Sequence, residues 1–264
     1  GASFSSQYTM PTGQFYRINV DNQFPYRIYG GQQDNTSVSI ASRELGSGGI
    51  TPAAWTASAG GESAFLAFDP ENPRYVMGGS YQGTIEVIDT KAAAGTNVMA
   101  APIQYLGMDA KDMKYRYNWN APIIVSPHSS DTVYHAANFV LRSIDRGETW
   151  EKISPDLTKN DPATRGGTGN VSYATLTAFD ESPVTPGVLW AGSDDGNVQV
   201  TQDGRIGERK IAFFTGILDK LQLSDDEAAM VMGHEIAHAL REHARERMGK
   251  SSVTQGAARV GGAL

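Results

Sequence analysis

Residues 143–150 read Ser-Ile-Asp-Arg-Gly-Glu-Thr-Trp, and this stretch indicates the fold more clearly than any other. Asp145 is placed to accept backbone hydrogen bonds across a β-hairpin turn, and Gly147 can supply the positive φ that the turn requires. Trp150 has a large apolar area, which we expect to pack between neighbouring sheets. The stretch therefore predicts a structural turn in an all-β protein and is not a catalytic motif.

The chain around this turn contains an imperfect repeat. The first two hundred residues, roughly, are rich in Gly, Ser, Thr, Asn and Tyr, with short alternating apolar runs between turn signals. Each copy is a strand, a proline-containing turn and a second strand ending in small residues; clear copies lie at 68–79, 125–136 and 179–192, and a fainter one at 25–31. The repeat length, roughly fifty to sixty residues, suits one blade of a β-propeller with long loops.

The turn at 143–150 and the segment 117–127, Tyr-Asn-Trp-Asn-Ala-Pro-Ile-Ile-Val-Ser-Pro, carry a family resemblance. Residues 12–204 resemble the sortilin-type propellers of Asp-box (BNR) repeats found in secreted bacterial proteins. The resemblance implies a mainly β fold with a partial β-propeller, of which three to four blades are visible, and favours a periplasmic or secreted location. Such propellers usually have more blades, so we expect open sheet edges and a homo-oligomer formed through them.

The repeat pattern stops near residue 204. Residues 201–204, Thr-Gln-Asp-Gly, begin the turn motif again, but Arg205 stands where the motif needs its glycine and no Thr-Trp follows. We therefore expect a propeller-like region at residues 1–204 and a short α-rich segment at residues 205–264. The abrupt change of pattern suggests a chimeric chain.

The α-rich segment contains the pattern His-Glu-x-x-His at residues 234–238, inside a predicted helix from 224 to about 248. Histidines at i and i+4 share one face of a helix, so His234 and His238 can meet one metal ion. Glu235 points to the neighbouring side, where it can hold and deprotonate a water molecule. The spacing predicts a zinc site with a general base beside it.

The residues around this motif are similar to one class of zinc metallopeptidase, the HtpX and CAAX-prenyl-protease type. The resemblance covers residues 208–250 and is carried by the apolar run at 210–218, the Leu-Ser-Asp-Asp-Glu turn at 223–227 and the motif at 232–240. It implies a gluzincin-type enzyme in which His234 and His238 bind Zn²⁺ and Glu235 is the general base. The apolar run would border the substrate cleft.

The sequence does not identify the third zinc ligand. In the family it is a glutamate further along the chain, but residues 251–264 contain no Asp, Glu, His or Cys. The alternatives are Glu242 on the same helix, a second chain, or an acidic residue of the propeller region, namely Asp194, Asp195 or Asp203. For Asp194 and Asp195 the favoured interpretation is stabilisation of a turn.

Composition excludes some partners. The net charge of −7 argues against nucleic acid, because phosphate binding needs clustered Lys and Arg. The chain has no cysteine, which excludes disulfides and thiolate metal sites. No apolar run approaches the length of a membrane span.

Three functions agree with the sequence. The first is a zinc metalloendopeptidase that hydrolyses protein or peptide substrates, with the propeller-like region binding the substrate or a partner. The second is a non-enzymatic propeller binding module with a vestigial motif helix. The third is a glycoside hydrolase with its active site in the propeller loops. Zinc content and the dependence of activity on Glu235 distinguish them.

Overall fold

The computed structural model describes residues 3, 13–44, 46, 49–63, 65–103, 105, 107–165, 172–201 and 210–212. The chain divides into two compact units, Gly1–Glu208 and Arg209–Leu264. The described elements are almost all strands, and those of the first unit form four consecutive antiparallel sheets in a propeller-like arrangement. The predicted mainly β fold with a partial propeller is thus confirmed. The predicted helix at 224–248 lies outside the described residues.

Each sheet is built from strands that follow one another in the chain. The first contains β1 (Phe15–Val20), β2 (Arg27–Gln32), β3 (Ser37–Ala41) and β4 (Thr56–Ala57). The second contains β5 (Leu66–Ala67), β6 (Tyr75–Gly79), β7 (Ile85–Asp89) and β8 (Ala94–Asn97). The third contains β9 (Ile123–Ser126), β10 (Ser129–Ala136), β11 (Val140–Ser143) and β12 (Glu151–Lys152). The fourth contains β13 (Leu176–Glu181), β14 (Leu189–Ser193) and β15 (Asn197–Thr201), and the described strand of the second unit is β16 (Lys210–Ala212). Two short 3-10 turns lie at Pro52–Ala54 and Tyr81–Gly83.

Strand β10 shows why the sheets stack. Its last four residues, 133–136, are all buried, so both faces of the strand are covered. Val133 belongs to an apolar cluster with Met77 of the second sheet, whereas Tyr134 packs against Phe179 of the fourth. Burial of four consecutive residues differs from the alternation of buried and exposed residues in a strand with one solvent-exposed face.

The hydrophobic core lies in the spaces between successive sheets. One cluster joins the first and second sheets, a second joins the second and third, and a third joins the third and fourth. Their largest fully buried members are Val76, Met77, Ile85, Ile123, Val133, Val140, Leu157, Leu176 and Leu189. Burying one such side chain contributes roughly 1.5–3 kcal/mol, so these contacts hold the sheets together.

Trp150 lies at the boundary between the second and third sheets. Its indole N–H donates to the carbonyl oxygen of Val98, directly after β8, at 2.8 Å. The ring also packs against the apolar cluster of Met77 and Ile123. The prediction that Trp150 packs between sheets is confirmed.

The first strands of the four sheets lie side by side. Strand β1 contacts β5, β5 contacts β9, and β9 contacts β13. Each first strand leads into the proline-containing turn of its repeat, and backbone and side-chain bonds join neighbouring turns. The turns therefore meet at one end of the first strands. In the part of the chain that the structure describes, no helix is long and apolar enough to cross a membrane.

Candidate functional site

The residues predicted to bind zinc and activate water lie outside the described residues. This applies to His234, Glu235 and His238, and to two of the candidates for a third ligand, Asp203 and Glu242. Within the described ranges, no group of three or more His, Asp or Glu side chains could hold a metal ion. The described part of the chain therefore offers no ready-made metal centre.

Asp194 and Asp195 stabilise loops, as the favoured interpretation predicts. The two carboxylate oxygens of Asp194 accept the backbone N–H and the hydroxyl of Thr175, at 2.9 and 2.7 Å. The carboxylate of Asp195 accepts the Ser193 hydroxyl through Oδ1 and the Lys159 backbone N–H, at 2.7 Å, through Oδ2. Each of the four oxygens accepts at least one hydrogen bond from a neighbouring loop residue, which is the role of a turn-stabilising carboxylate.

The turn at 143–150 has the geometry that its residue types predict. Asp145 accepts the backbone N–H of Thr149 at 2.8 Å and also the hydroxyls of Thr149 and Ser143. Gly147 has a φ of 94° and donates its N–H to the Ser143 hydroxyl oxygen at 2.7 Å. The bond from the Thr149 hydroxyl, followed by the others, lowers the pKa of Asp145 from 3.8 to about 2. The carboxylate is thus a structural acceptor.

A related turn occurs in the fourth sheet, and sequence reasoning missed it. Ser193 donates its hydroxyl to Asp195 and accepts the N–H of Asn197 at 3.0 Å, while Gly196 has a φ of 91°. The serine and aspartate keep the spacing of Ser143 and Asp145, but the positive-φ glycine comes one residue earlier. That shift hides the relation from a strict motif search.

The main cavity of the described structure has a volume of about 640 Å³ and lies where the repeat turns meet. Each of the four first strands, or the turn that follows it, lines this cavity. Its polar and charged lining includes one amide, one imidazole and four carboxylates, from Asn19, His128, Asp69, Glu71, Asp180 and Glu181. A cavity of this size lies within the range of small-molecule sites.

Hydrogen bonds between turns hold the cavity wall together. The backbone N–H of Asn22 donates to the carbonyl of Pro70 at 2.9 Å, and its side-chain amide donates to the Glu71 carboxylate. On the other side, Nε2 of His128 lies 2.7 Å from the carbonyl oxygen of Ser182. The first turn is thereby joined to the second, and the third to the fourth.

Glu181 is the most buried acid of the cavity. Its side chain lies at the end of β13 with a residue exposure of 4%, and its Oε1 accepts the Gly187 N–H at 3.0 Å. Its Oε2 has no hydrogen-bond partner among the described residues. Burial, followed by the nearby Glu181 carboxylate, raises the pKa of Tyr134 to about 12. The low exposure shows that little solvent surrounds the Glu181 side chain.

Sequence reasoning recognised the repeat turns as structure but not as a shared site. The signal was present in the sequence, because acids occur in corresponding places of the Phe-Asp-Pro-Glu copy at 68–71 and the Phe-Asp-Glu copy at 179–181. Repeats related by rotation about one axis bring equivalent turns to the same end. Acidic residues at the same place in two repeats therefore predict a common acidic cavity.

Comparison with known proteins gives a family match for the C-terminal residues of the chain. The family model described as peptidase family M48 matches residues 202–262. No curated protein matches the chain. Among solved structures, the crystal structure of the GH74 xyloglucanase from Xanthomonas campestris matches with 11% identity and a TM-score of 0.42. That match covers 67% of this chain and 25% of the xyloglucanase chain, so this chain spans about a quarter of that protein.

Proposed function

We propose that this chain is a zinc-dependent metalloendopeptidase. The main support is that residues 202–262 match peptidase family M48 and contain the His-Glu-x-x-His pattern at 234–238. We assign catalysis to residues 205–264 and the binding of substrate or a partner to the propeller-like region, residues 1–204. Within the family, we place the segment in the HtpX and CAAX-prenyl-protease type.

His234 and His238 are the proposed metal ligands. Neutral imidazole nitrogens are common zinc donors, and their i, i+4 spacing fits one ion on a helix. The donor set of the motif is two imidazoles, and the candidates proposed for a third ligand are Glu242, Asp203, Asp194, Asp195 or a residue of a second chain. For Asp194 and Asp195 the hydrogen bonds to their oxygens support the stabilisation of a turn as the favoured role.

Glu235 is the proposed general base. Zinc, when bound, would polarise the scissile carbonyl group as a Lewis acid. The Glu235 carboxylate would take a proton from the attacking water and return it to the leaving amine. The run at 210–218 would align an extended substrate by β-pairing, which holds a peptide without reading its side chains.

A non-enzymatic binding module is the second candidate function. The acidic cavity favours it, because all four repeats contribute to the lining and hydrogen bonds join the first turn to the second and the third to the fourth. For the region 12–204 we propose kinship with the sortilin-type propellers of Asp-box (BNR) repeats. The turn at 143–150 supports that kinship through the bonds of Asp145 and the φ of Gly147.

Zinc content tests the proposal. We expect about one zinc per chain in protein purified without chelator, and loss of zinc in His234→Ala and His238→Ala. Occupancy should fall on acidification, because histidine must be neutral to bind the metal. His135→Phe, which removes a buried histidine of the propeller-like region, is the matched control and should keep its zinc. Wild-type protein that neither contains zinc nor takes it up on titration would contradict the proposal.

A further inference from the structure

The first sheet presents an apolar face to solvent. Asn19 of β1 donates its side-chain amide to the Leu66 carbonyl oxygen of the second sheet, at 3.0 Å. Side chains alternate between the two faces of a strand, so Ile18 and Val20 point away from the second sheet. Their exposures are 57% and 46%. We infer that this face, the open face of the first sheet, binds the fourth sheet of a second copy of this chain.

The repeat shows that the equivalent face is covered in the other sheets. The position three residues before the end of each repeat copy holds Ile28, Val76, Val133 and Leu189. In the three later sheets this residue is fully buried, in the cluster shared with the preceding sheet. Ile28 is only half-buried, and none of the described strands belongs to a sheet that precedes the first. The first sheet therefore lacks a contact that its three counterparts make.

The first strands repeat this pattern. Ile18 pairs with the next-to-last residue of its repeat copy, and the residues with the same pairing in the later sheets are Leu66, Ile123 and Phe179. Those three are buried against the preceding sheet, whereas Ile18 is exposed. Apolar area left in water costs free energy, which a covering sheet would recover.

The fourth sheet carries the side chain that such a contact needs. The position two residues before the end of each repeat copy holds Tyr29, Met77, Tyr134 and Trp190. The first three pack on the following sheet: the ring centroids of Tyr29 and Phe68 are 4.3 Å apart, those of Tyr134 and Phe179 are 5.5 Å apart, and Met77 shares a cluster with Ile123. Trp190 is the large side chain at this position in the fourth sheet, and it is half-buried.

These positions identify a second copy as the occupant of the open face. In the packing that the chain uses three times, the residue equivalent to Trp190 meets the first strand of the next sheet, and β1 with Ile18 is the first strand left without such a neighbour in the described part of the chain. The exposed Ala178 lies on the same face as Trp190, because it pairs with Gly192. The two faces differ, so the contact is head-to-tail and each copy offers one of each.

Sedimentation velocity of the full chain tests the association. Wild type should associate as its concentration rises, and Ile18→Glu should raise the dissociation constant at least about a hundredfold, because a charge buried without a partner is costly. Ile144→Glu makes the same substitution at an isoleucine that is 70% exposed in the turn after β11, and it should associate like wild type. Wild type that stays monomeric up to about 0.1 mM would overturn the inference and leave the open face to another protein.

Val20→Lys is the second variant of the open face. It makes the net charge of −7 less negative, so general repulsion between copies falls, and it should nevertheless weaken association as Ile18→Glu does. Both side chains are exposed in a single copy, so the far-UV spectra should match wild type. If both folded variants associate like wild type, the open face is not the contact.

A mixing experiment tests the head-to-tail arrangement. Ile18→Glu blocks the first sheet and Ala178→Glu blocks the fourth, so each variant alone should be monomeric. Mixed in equal amounts, at concentrations where wild type associates, they should form a one-to-one dimer, because the intact fourth sheet of one fits the intact first sheet of the other. Self-association of Ala178→Glu would show that first sheets bind each other and would overturn the inference, as would a mixture that stays monomeric.

Discussion

Asp145 shows how one side chain fixes a turn and makes it sensitive to acid. Because its folded-state pKa, about 2, lies below the ordinary value of 3.8, its ionised form stabilises the folded chain. That contribution is present above about pH 4 and is lost as the pH falls through about 2. We expect Asp145→Asn to lower the urea midpoint at pH 6, and the difference from wild type to shrink toward pH 2. A difference that is constant with pH would contradict this role.

His135 is the second residue with a clear pH signature. It is fully buried and stacks on Tyr117 with ring centroids 4.7 Å apart, and neither ring nitrogen has a hydrogen-bond partner among the described residues. Burial lowers its pKa from 6.5 to about 3. Below about pH 6.5, His135 is therefore protonated in the unfolded chain but stays neutral in the folded chain. The free energy of unfolding falls as the pH drops through this range.

The variant that checks this effect is His135→Phe, which keeps the stacked ring and removes the unpaired nitrogens. We expect it to be at least as stable as wild type at pH 7. Between about pH 6 and 4, wild type should lose about 1.4 kcal/mol per pH unit more than the variant. Urea unfolding at several pH values measures both profiles, and parallel profiles would show that His135 titrates normally.

At the scale of the element, close contact between backbones limits which residue types fit in a strand. A Cβ added to Gly78 in β6 would lie 2.0 Å from the carbonyl oxygen of Ala59, which is backbone and cannot swing away. In contrast, a Cβ added to Gly192 in β14 would meet only the Cβ of Ala178, at 3.6 Å. The two glycines therefore form a matched pair in two different sheets.

We expect Gly78→Ala to destabilise the chain by about 1–3 kcal/mol, because the second sheet must shift away from Ala59. Gly192→Ala should change the free energy of unfolding by less than about 0.5 kcal/mol. Urea unfolding of the two variants beside wild type makes the comparison. Equal effects would mean that loss of glycine itself, and not the close approach, sets the cost.

The strands were largely predictable from the sequence, and their partners were not. Alternating apolar residues and proline turns indicate where β6, β10 and β14 begin and end, because those signals are local. The pairing of Trp150 with Val98 joins residues far apart in the chain, and only the residue type suggested that an inter-sheet contact would form. The cavity is still harder to predict from the sequence, because it depends on how four turns meet in space.

At the scale of the whole molecule, the described residues include the propeller repeat but not the His-Glu-x-x-His motif. The repeat predicted consecutive antiparallel sheets, and the propeller-like arrangement confirms it because each sheet covers a face of the next. The division at residue 204 and the homo-oligomer expected from open sheet edges stay predictions. So do the roles of His234, Glu235 and His238, which lie outside the described residues.

Peptide cleavage by wild type, Glu235→Gln and His238→Ala, at matched protein and zinc concentrations, tests the central claim most directly. With an unstructured substrate such as casein, we expect wild type to cleave and Glu235→Gln to keep its zinc. The neutral amide cannot take the proton from water, so the rate should fall roughly a hundredfold to ten-thousandfold. His238→Ala should lose both zinc and cleavage. Equal rates for the three proteins, or no cleavage by zinc-loaded wild type, would contradict a metallopeptidase and leave the binding module as the function.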